Sequence, residues 1–185
     1  VGGVVEATVA PVLHFLVGHG IALEAHAQNL ILVHTDGRPQ RLALRDFHDG
    51  IRFTLAGLAD PALRPDLHPT PPEHFVVNRN SYLEAVTEDE VRDFAHDCLF
   101  FVNLAELAMF LEDTFDLPEE RFWSLARRAV EDHRRRFPEL AHRAARFDVL
   151  EPEVSVEQLT TRRLLPDTEV RLQRVRNPLS LLGAD

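Results

Sequence analysis

The chain reads as an α+β fold: a small antiparallel sheet built on a hairpin, packed against a C-terminal helical bundle. Two observations predict it. Two short apolar runs, residues 30–33 and 41–47, flank Asp36-Gly37, the dipeptide that best supplies the left-handed backbone of a tight hairpin turn. From Thr87 onward the apolar residues recur at helical spacing, broken only by prolines where new helices begin.

Taken in order, residues 4–17 form an amphipathic helix with Val5, Val9, Val12, Leu13 and Leu16 on one side. Pro11 falls inside it and predicts a kink or a late start. Gly18 and Gly20 bracket His19 and should stop it. Residues 20–29 show little periodicity and lead into the hairpin. Residues 58–82 carry Pro61, Pro65, Pro69, Pro71 and Pro72 and read as a long irregular loop, a lid or surface excursion. Thr87 with Glu90 is a capping-box pattern opening a largely buried helix to about residue 112. Helices follow at 118–136 and 137–147, each with proline in its first turn. The phenylalanines between 94 and 122 read as core. Residues 151–185 form a tail with the closing run Arg176-Asn177-Pro178-Leu179.

Composition narrows the function. The 185 residues carry 20 basic and 30 acidic side chains, a net charge of −10, which argues against a nucleic-acid binder that must neutralise phosphates. Every basic residue is Arg, so a cationic contact to an anionic ligand must come from Arg, protonated His or a helix N-terminus. The single cysteine, Cys98, lies in an apolar run and reads as an inert buried thiol. One cysteine allows no internal disulfide and fits a reducing, cytoplasmic setting. No unbroken run of 18 apolar residues and no export signal is visible, so no membrane partner is expected. The chain opens Val1-Gly2-Gly3 without an initiator Met and reads as a piece of a longer protein, or a processed one.

The chemistry concentrates between Gly20 and Gly50. Asn29 stands just before the first strand of the hairpin and Asp46 just after the second. An amide oxygen and a carboxylate suit magnesium, which takes hard oxygen ligands and leaves positions for phosphate and water. His26 offers a phosphate or carboxylate a hydrogen bond, or accepts a proton from an amine. Gln28 alternates with it and reaches the same ligand; Arg45 adds a cation. Glu24 either orients His26 or serves the metal. Singly, each residue also reads as an ordinary turn or loop position, and only the set points to a magnesium-nucleotide site. His14, His19 and His26 match no compact zinc spacing. The Arg run at 127–136 reads as a solvated face, and the Arg residues of the tail as a solvated surface or a source of positive potential for the anion site.

The run His19-Gly20-Ile21-Ala22-Leu23-Glu24-Ala25-His26-Ala27-Gln28-Asn29, the later Leu44-Arg45-Asp46-Phe47 and the closing Arg176-Asn177-Pro178-Leu179 resemble the C-terminal half of siderophore synthetases that work without nonribosomal peptide synthetases, the IucA/IucC family of aerobactin-synthetase type. The resemblance implies that residues 1–185 are the palm of a hand-like, distantly kinase-like synthetase. Within it, 1–57 carries the site, 58–82 the Pro-rich loop, 83–150 the helical bundle and 151–185 the tail. It implies ATP and Mg2+ as cofactors, a citrate-like acid activated as its adenylate, and capture by an amine or hydroxylamine to form an amide. On that mapping His26 faces the carboxylate and α-phosphate, Gln28 and Asn29 belong to the nucleotide and metal shell, Asp46 binds magnesium, and Arg45 supports the site. A homodimer of the full-length protein is implied as well. Two departures stand out. The fingers domain with its Ser, Arg and Lys phosphate ligands is absent, so the palm alone should be inactive. The Lys that often precedes the family's tail motif is also absent; Glu157 or Arg162 stands nearest. A kinase-like phosphotransferase lobe and a non-catalytic ligand-binding or dimerisation module are the alternatives.

Overall fold

The computed structural model describes residues 1–48, 50–64, 66–67, 83–166 and 170–181. Most of the Pro-rich loop expected at 58–82 lies outside them; its start holds a 3₁₀ turn, Pro61–Leu63, capped by the Asp60 carboxylate on the Ala62 amide.

Helix α1 spans Gly2–His14 and runs on, without a break at Gly18, as a π-helix over Phe15–His19. Gly18 therefore does not stop it; Gly20 does, with φ 78° in the left-handed region. A Cβ there would lie 2.0 Å from the Gly57 carbonyl oxygen, so only glycine fits. Strand β1 (Ile21–Leu23) follows and pairs antiparallel with β4 (Ile51–Phe53). Neither three-residue strand was expected. Between them lies the hairpin of β2 (Leu30–Thr35) and β3 (Arg38–Leu44), with Asp36 and Gly37 both left-handed at φ 49° and 74°, as the turn signal predicts. The second strand ends at Leu44, three residues before its predicted limit.

Helix α2 (Glu88–His96) begins at the predicted box. The Thr87 hydroxyl accepts from the Glu90 amide, and the Glu90 carboxylate accepts from the Val86 amide. It continues as a second π-helical segment, Asp97–Leu104, and then as α3 (Ala105–Phe115). Helix α4 spans Glu119–Arg136 behind Pro118, and a 3₁₀ turn at Pro138–Leu140 leads into α5 (Ala141–Arg146). The tail is more regular than its sequence suggests: β5 (Glu153–Glu157) pairs antiparallel with β6 (Leu172–Arg176), flanking the short helix α6 (Leu159–Leu164), and α7 (Pro178–Leu181) closes the described chain.

The core lies where α1 packs on α4 and both meet α2–α3. Val5, Val9, Val12 and Leu16 of α1 join Phe122, Ala126 and Val130 of α4 and Val91, Leu99 and Leu104. Each such side chain contributes roughly 1.5–3 kcal/mol by leaving water. The continuous helices Gly2–His19 and Glu88–Phe115 are long and apolar enough to cross a membrane by length and composition. Their apolar stripes instead meet each other and α4 in this core. Not all the phenylalanines are core: Phe100 and Phe122 are buried, but Phe101, Phe110 and Phe115 are exposed. Helix α2 lies between the β1–β4 pair and β5. On its far side the Asp93 and Asp97 carboxylates accept the backbone amides of Ser155 and Glu157, each at 3.0 Å, pinning one edge of β5.

Candidate functional site

The chain leaving β1 makes two tight turns. The Ala25 amide donates to the Leu23 carbonyl at 2.8 Å, a three-residue turn centred on Glu24. The Asn29 amide then donates to the His26 carbonyl at 3.0 Å, a four-residue turn with Ala27 and Gln28 exposed at its tip. These turns direct Glu24, His26 and Asn29 to one side. Asn29 Nδ2 lies 3.0 Å from Glu24 Oε2 and 3.3 Å from the Glu24 carbonyl oxygen. His26 Nε2 lies 3.5 Å from Asn29 Nδ2 and 3.8 Å from Glu24 Oε2.

A carboxylate and a carbonyl can only accept, so these contacts fix the amide orientation: the NH₂ faces Glu24 and Oδ1 faces away. Asn29 is 2% exposed, and its Oδ1 has no hydrogen-bond partner among the described residues. An orphaned buried acceptor is costly. A hard cation is one partner that would satisfy it.

The returning strand brings up the other half. The Arg45 amide donates to the Asn29 carbonyl at 3.0 Å, extending the ladder one step beyond Leu30↔Leu44. Asp46 is therefore the next residue past the one that pairs with Asn29. It is left-handed, with φ 66°, and exposed. Its backbone turns back beneath the site: a Cβ on buried Gly50 would meet the Asp46 carbonyl oxygen at 2.4 Å and Glu24 Oε2 at 3.1 Å. The Glu24 amide donates to the Gly50 carbonyl at 2.7 Å.

Glu24, His26 and Asn29 are thus in contact. Arg45 is held opposite Asn29 by its backbone, with an exposed side chain, and Gln28 is exposed on the turn. Among the described residues no group of three or more His, Cys, Asp or Glu is arranged to hold a metal. The Asn29 and Glu24 oxygens are hard donors of the type magnesium takes, and that ion needs few protein ligands. His14 is engaged in packing. His14 Nδ1 lies 3.2 Å from His133 Nε2, and both rings tilt against Phe137. Burial, then the neighbouring His14, Arg136 and Arg134, push His133 down to about 4. Cys98 is buried and its thiol is pushed up, first by burial, as expected of an inert group.

The closing motif has a different role from the site. Asn177 is fully buried, donates to the Val149 and Glu151 carbonyls at 2.8 and 2.7 Å, and accepts from the Leu179 amide at 3.0 Å. Its Oδ1 also lies 3.1 Å from His96 Nε2. Burial drives His96 down to about 4. In the tail, Arg162 pairs with Glu157 and Arg174 with Glu153 on the tail's own surface.

Sequence reasoning missed two contributors. Gly50 backs the Glu24–Asp46 corner. Asn103, in the second π-helical segment, donates to the Ala25 carbonyl at 3.0 Å. The signal for the latter was present: a carboxamide inside the otherwise apolar stretch 98–105.

Comparison with known proteins gives this arrangement its context. The model of the family described as "Ferric iron reductase FhuF-like transporter" matches residues 3–172. The chain is 46% identical over 175 residues to the 2-[(L-alanin-3-ylcarbamoyl)methyl]-3-(2-aminoethylcarbamoyl)-2-hydroxypropanoate synthase of Staphylococcus aureus, covering 95% of this chain and 28% of that protein. Its fold superposes on the petrobactin biosynthesis protein AsbB of Bacillus anthracis with TM-score 0.85 and 36% identity, covering 97% of this chain and 30% of that one. The aerobactin synthetase IucC of Klebsiella pneumoniae superposes with TM-score 0.70 and 26% identity, again covering 97% and 30%. The chain therefore spans less than a third of each of these relatives. With the family model covering nearly all of it, this chain belongs to the FhuF-like family and is similar to the C-terminal region of siderophore synthetases of the IucC type.

Proposed function

We propose that this chain is the nucleotide- and metal-holding part of an ATP-dependent, AMP-forming ligase of siderophore biosynthesis, which joins a citrate-like carboxylate to an amine or hydroxylamine. The observation that carries the reading is Asn29: buried, its NH₂ clamped by Glu24, its Oδ1 without a partner among the described residues, and Asp46 one residue past its ladder neighbour. The name of the S. aureus relative supports the substrate class, since it describes two amides on a hydroxy-tricarboxylate skeleton.

Asn29 Oδ1 and the Asp46 carboxylate would hold magnesium, with Glu24 beside them. When bound, the ion supplies charge neutralisation on the phosphates of ATP. A carboxylate is already nucleophilic, so adenylation needs positioning and charge stabilisation rather than a base. His26 sits beside Glu24 and Asn29 and would hold the substrate carboxylate near the α-phosphate. In the second half-reaction the amine must lose a proton, and the His26 imidazole is the group in this cluster suited to take it. Arg45 and Gln28, exposed at the rim, would contact the phosphates. The remaining phosphate ligands would come from polypeptide outside this chain. A homodimer in a cytoplasmic setting completes the reading.

The test is product identity in the gene product that carries this chain. Incubation with ATP, Mg2+, citrate and a diamine should release AMP and pyrophosphate in step with amide. ADP together with a phosphorylated substrate would instead indicate a kinase-like lobe. Binding without turnover would indicate a ligand-binding module.

A further inference from the structure

Asn103 is not accounted for by the nucleotide reading. The segment that carries it, Asp97–Leu104, is π-helical, a geometry rare at this length and associated with functional sites. Its extra residue per turn lets Leu99, Phe100 and Leu104 stay buried while Asn103 Nδ2 reaches the Ala25 carbonyl, 78 residues away in sequence. The carbonyl only accepts, so the amide orientation is fixed.

Ala25 is fully buried and stands between Glu24 and His26. Its amide is tied to the Leu23 carbonyl and its carbonyl to Asn103. The two peptide planes flanking Ala25 are therefore both anchored. The plane that bears the Ala25 carbonyl is the one from which His26 departs. We infer that Asn103 is a positioning residue: through the Ala25 carbonyl, it sets the direction in which His26 and Glu24 leave the backbone. Its catalytic consequence rests on the synthetase reading; its hold on the loop does not.

The hydrogen bond can be read directly in the 185-residue wild-type chain, as a through-hydrogen-bond NMR coupling from the Asn103 side-chain nitrogen to the Ala25 carbonyl carbon. Its absence would overturn the inference without any variant. Asn103→Asp is nearly isosteric but opposes one oxygen to another. Exchange of the Glu24, Asn29 and Leu30 amides should then speed about tenfold while α1 and α4 amides stay unchanged. His26 ring signals should shift, and both effects should recede in acid as the new carboxyl gains a donor proton. Phe101→Ala, an exposed neighbour, should leave all of these unchanged.

In the gene product, Asn103→Asp should lower kcat for pyrophosphate release about tenfold or more, with KM for ATP little changed. Uniformly faster exchange across the molecule would mean a merely structural role and would overturn the proposal. So would wild-type kcat in Asn103→Asp alongside an inactive Asp46→Asn. If Asp46→Asn also retains turnover, the magnesium role of Asp46 falls; if the wild-type gene product releases no pyrophosphate, the synthetase reading falls; in either case the coupling and exchange data alone decide whether Asn103 holds the loop.

Discussion

Two buried asparagines show the difference between a site and a lock. Asn177, fully buried, uses both amide protons on carbonyls and its oxygen on the Leu179 amide and the His96 ring. Asn29, 2% exposed, uses its NH₂ on Glu24 and leaves Oδ1 unmatched. The satisfied group ties three pieces of chain together and has nothing left to offer a ligand. The unsatisfied one carries an energetic cost that a ligand can relieve. Sequence alone ranks the two alike, since each is an Asn in a recognisable motif.

Replacing Asn177 with Leu should have the largest effect on stability, roughly 3 kcal/mol or more, because two carbonyls, an amide and a ring nitrogen lose partners at once. Chemical denaturation measures it. Asn29→Leu should cost far less stability, about 1 kcal/mol, yet lower AMP formation about 100-fold or more. Equal stability losses at the two positions would erase the distinction between them.

Gly50→Ala should sharpen the comparison from the site side. The added Cβ meets the Asp46 carbonyl oxygen at 2.4 Å, and relief of that overlap must move the Asp46 corner. A stability loss of roughly 1–2 kcal/mol should accompany a larger drop in metal-dependent turnover.

pH probes the lock side. His96 and His133 sit near 4 when folded and near 6.5 when free, so unfolding takes up protons between those values. Stability is then full above about 6.5 and falls as pH drops toward 4. Asp97 has the opposite sign: burial raises it from 3.8 to about 6, so its contribution is present at low pH and lost as pH rises through 6. Asp97→Asn should therefore steepen the acid-side fall, as followed by urea midpoints between pH 4 and 7. Phe110→Ser, on the exposed face of α3, should change stability by no more than about 0.5 kcal/mol.

The legible parts were those with local causes. Asp36-Gly37 turned as a left-handed pair, Thr87 and Glu90 opened α2, and Pro118 preceded α4. The clustering of Glu24, His26 and Asn29 was within reach of the sequence because the three lie within six positions of one another. Their mutual contacts need only two short turns. What escaped was non-local. Strands β1 and β4 are three residues each, too short for an alternation to register, and they form only because the hairpin between them returns. The continuation of α1 through Gly18 escaped because tertiary packing overrode glycine's intrinsic reluctance to stay helical. The tail sheet escaped because its edge is held by Asp93 and Asp97, some sixty residues upstream.

The amino-acid order by itself determined the helices, the hairpin and the short polar cluster before it, because propensity, capping and turn geometry act over a few residues. Only the tertiary structure decided which of its polar groups stay unsatisfied. That follows from hydrogen-bond accounting in a water-free interior, where partners arrive from any distance along the chain: His96 reaches Asn177, Asn103 reaches Ala25, and among the described residues no donor reaches Asn29 Oδ1.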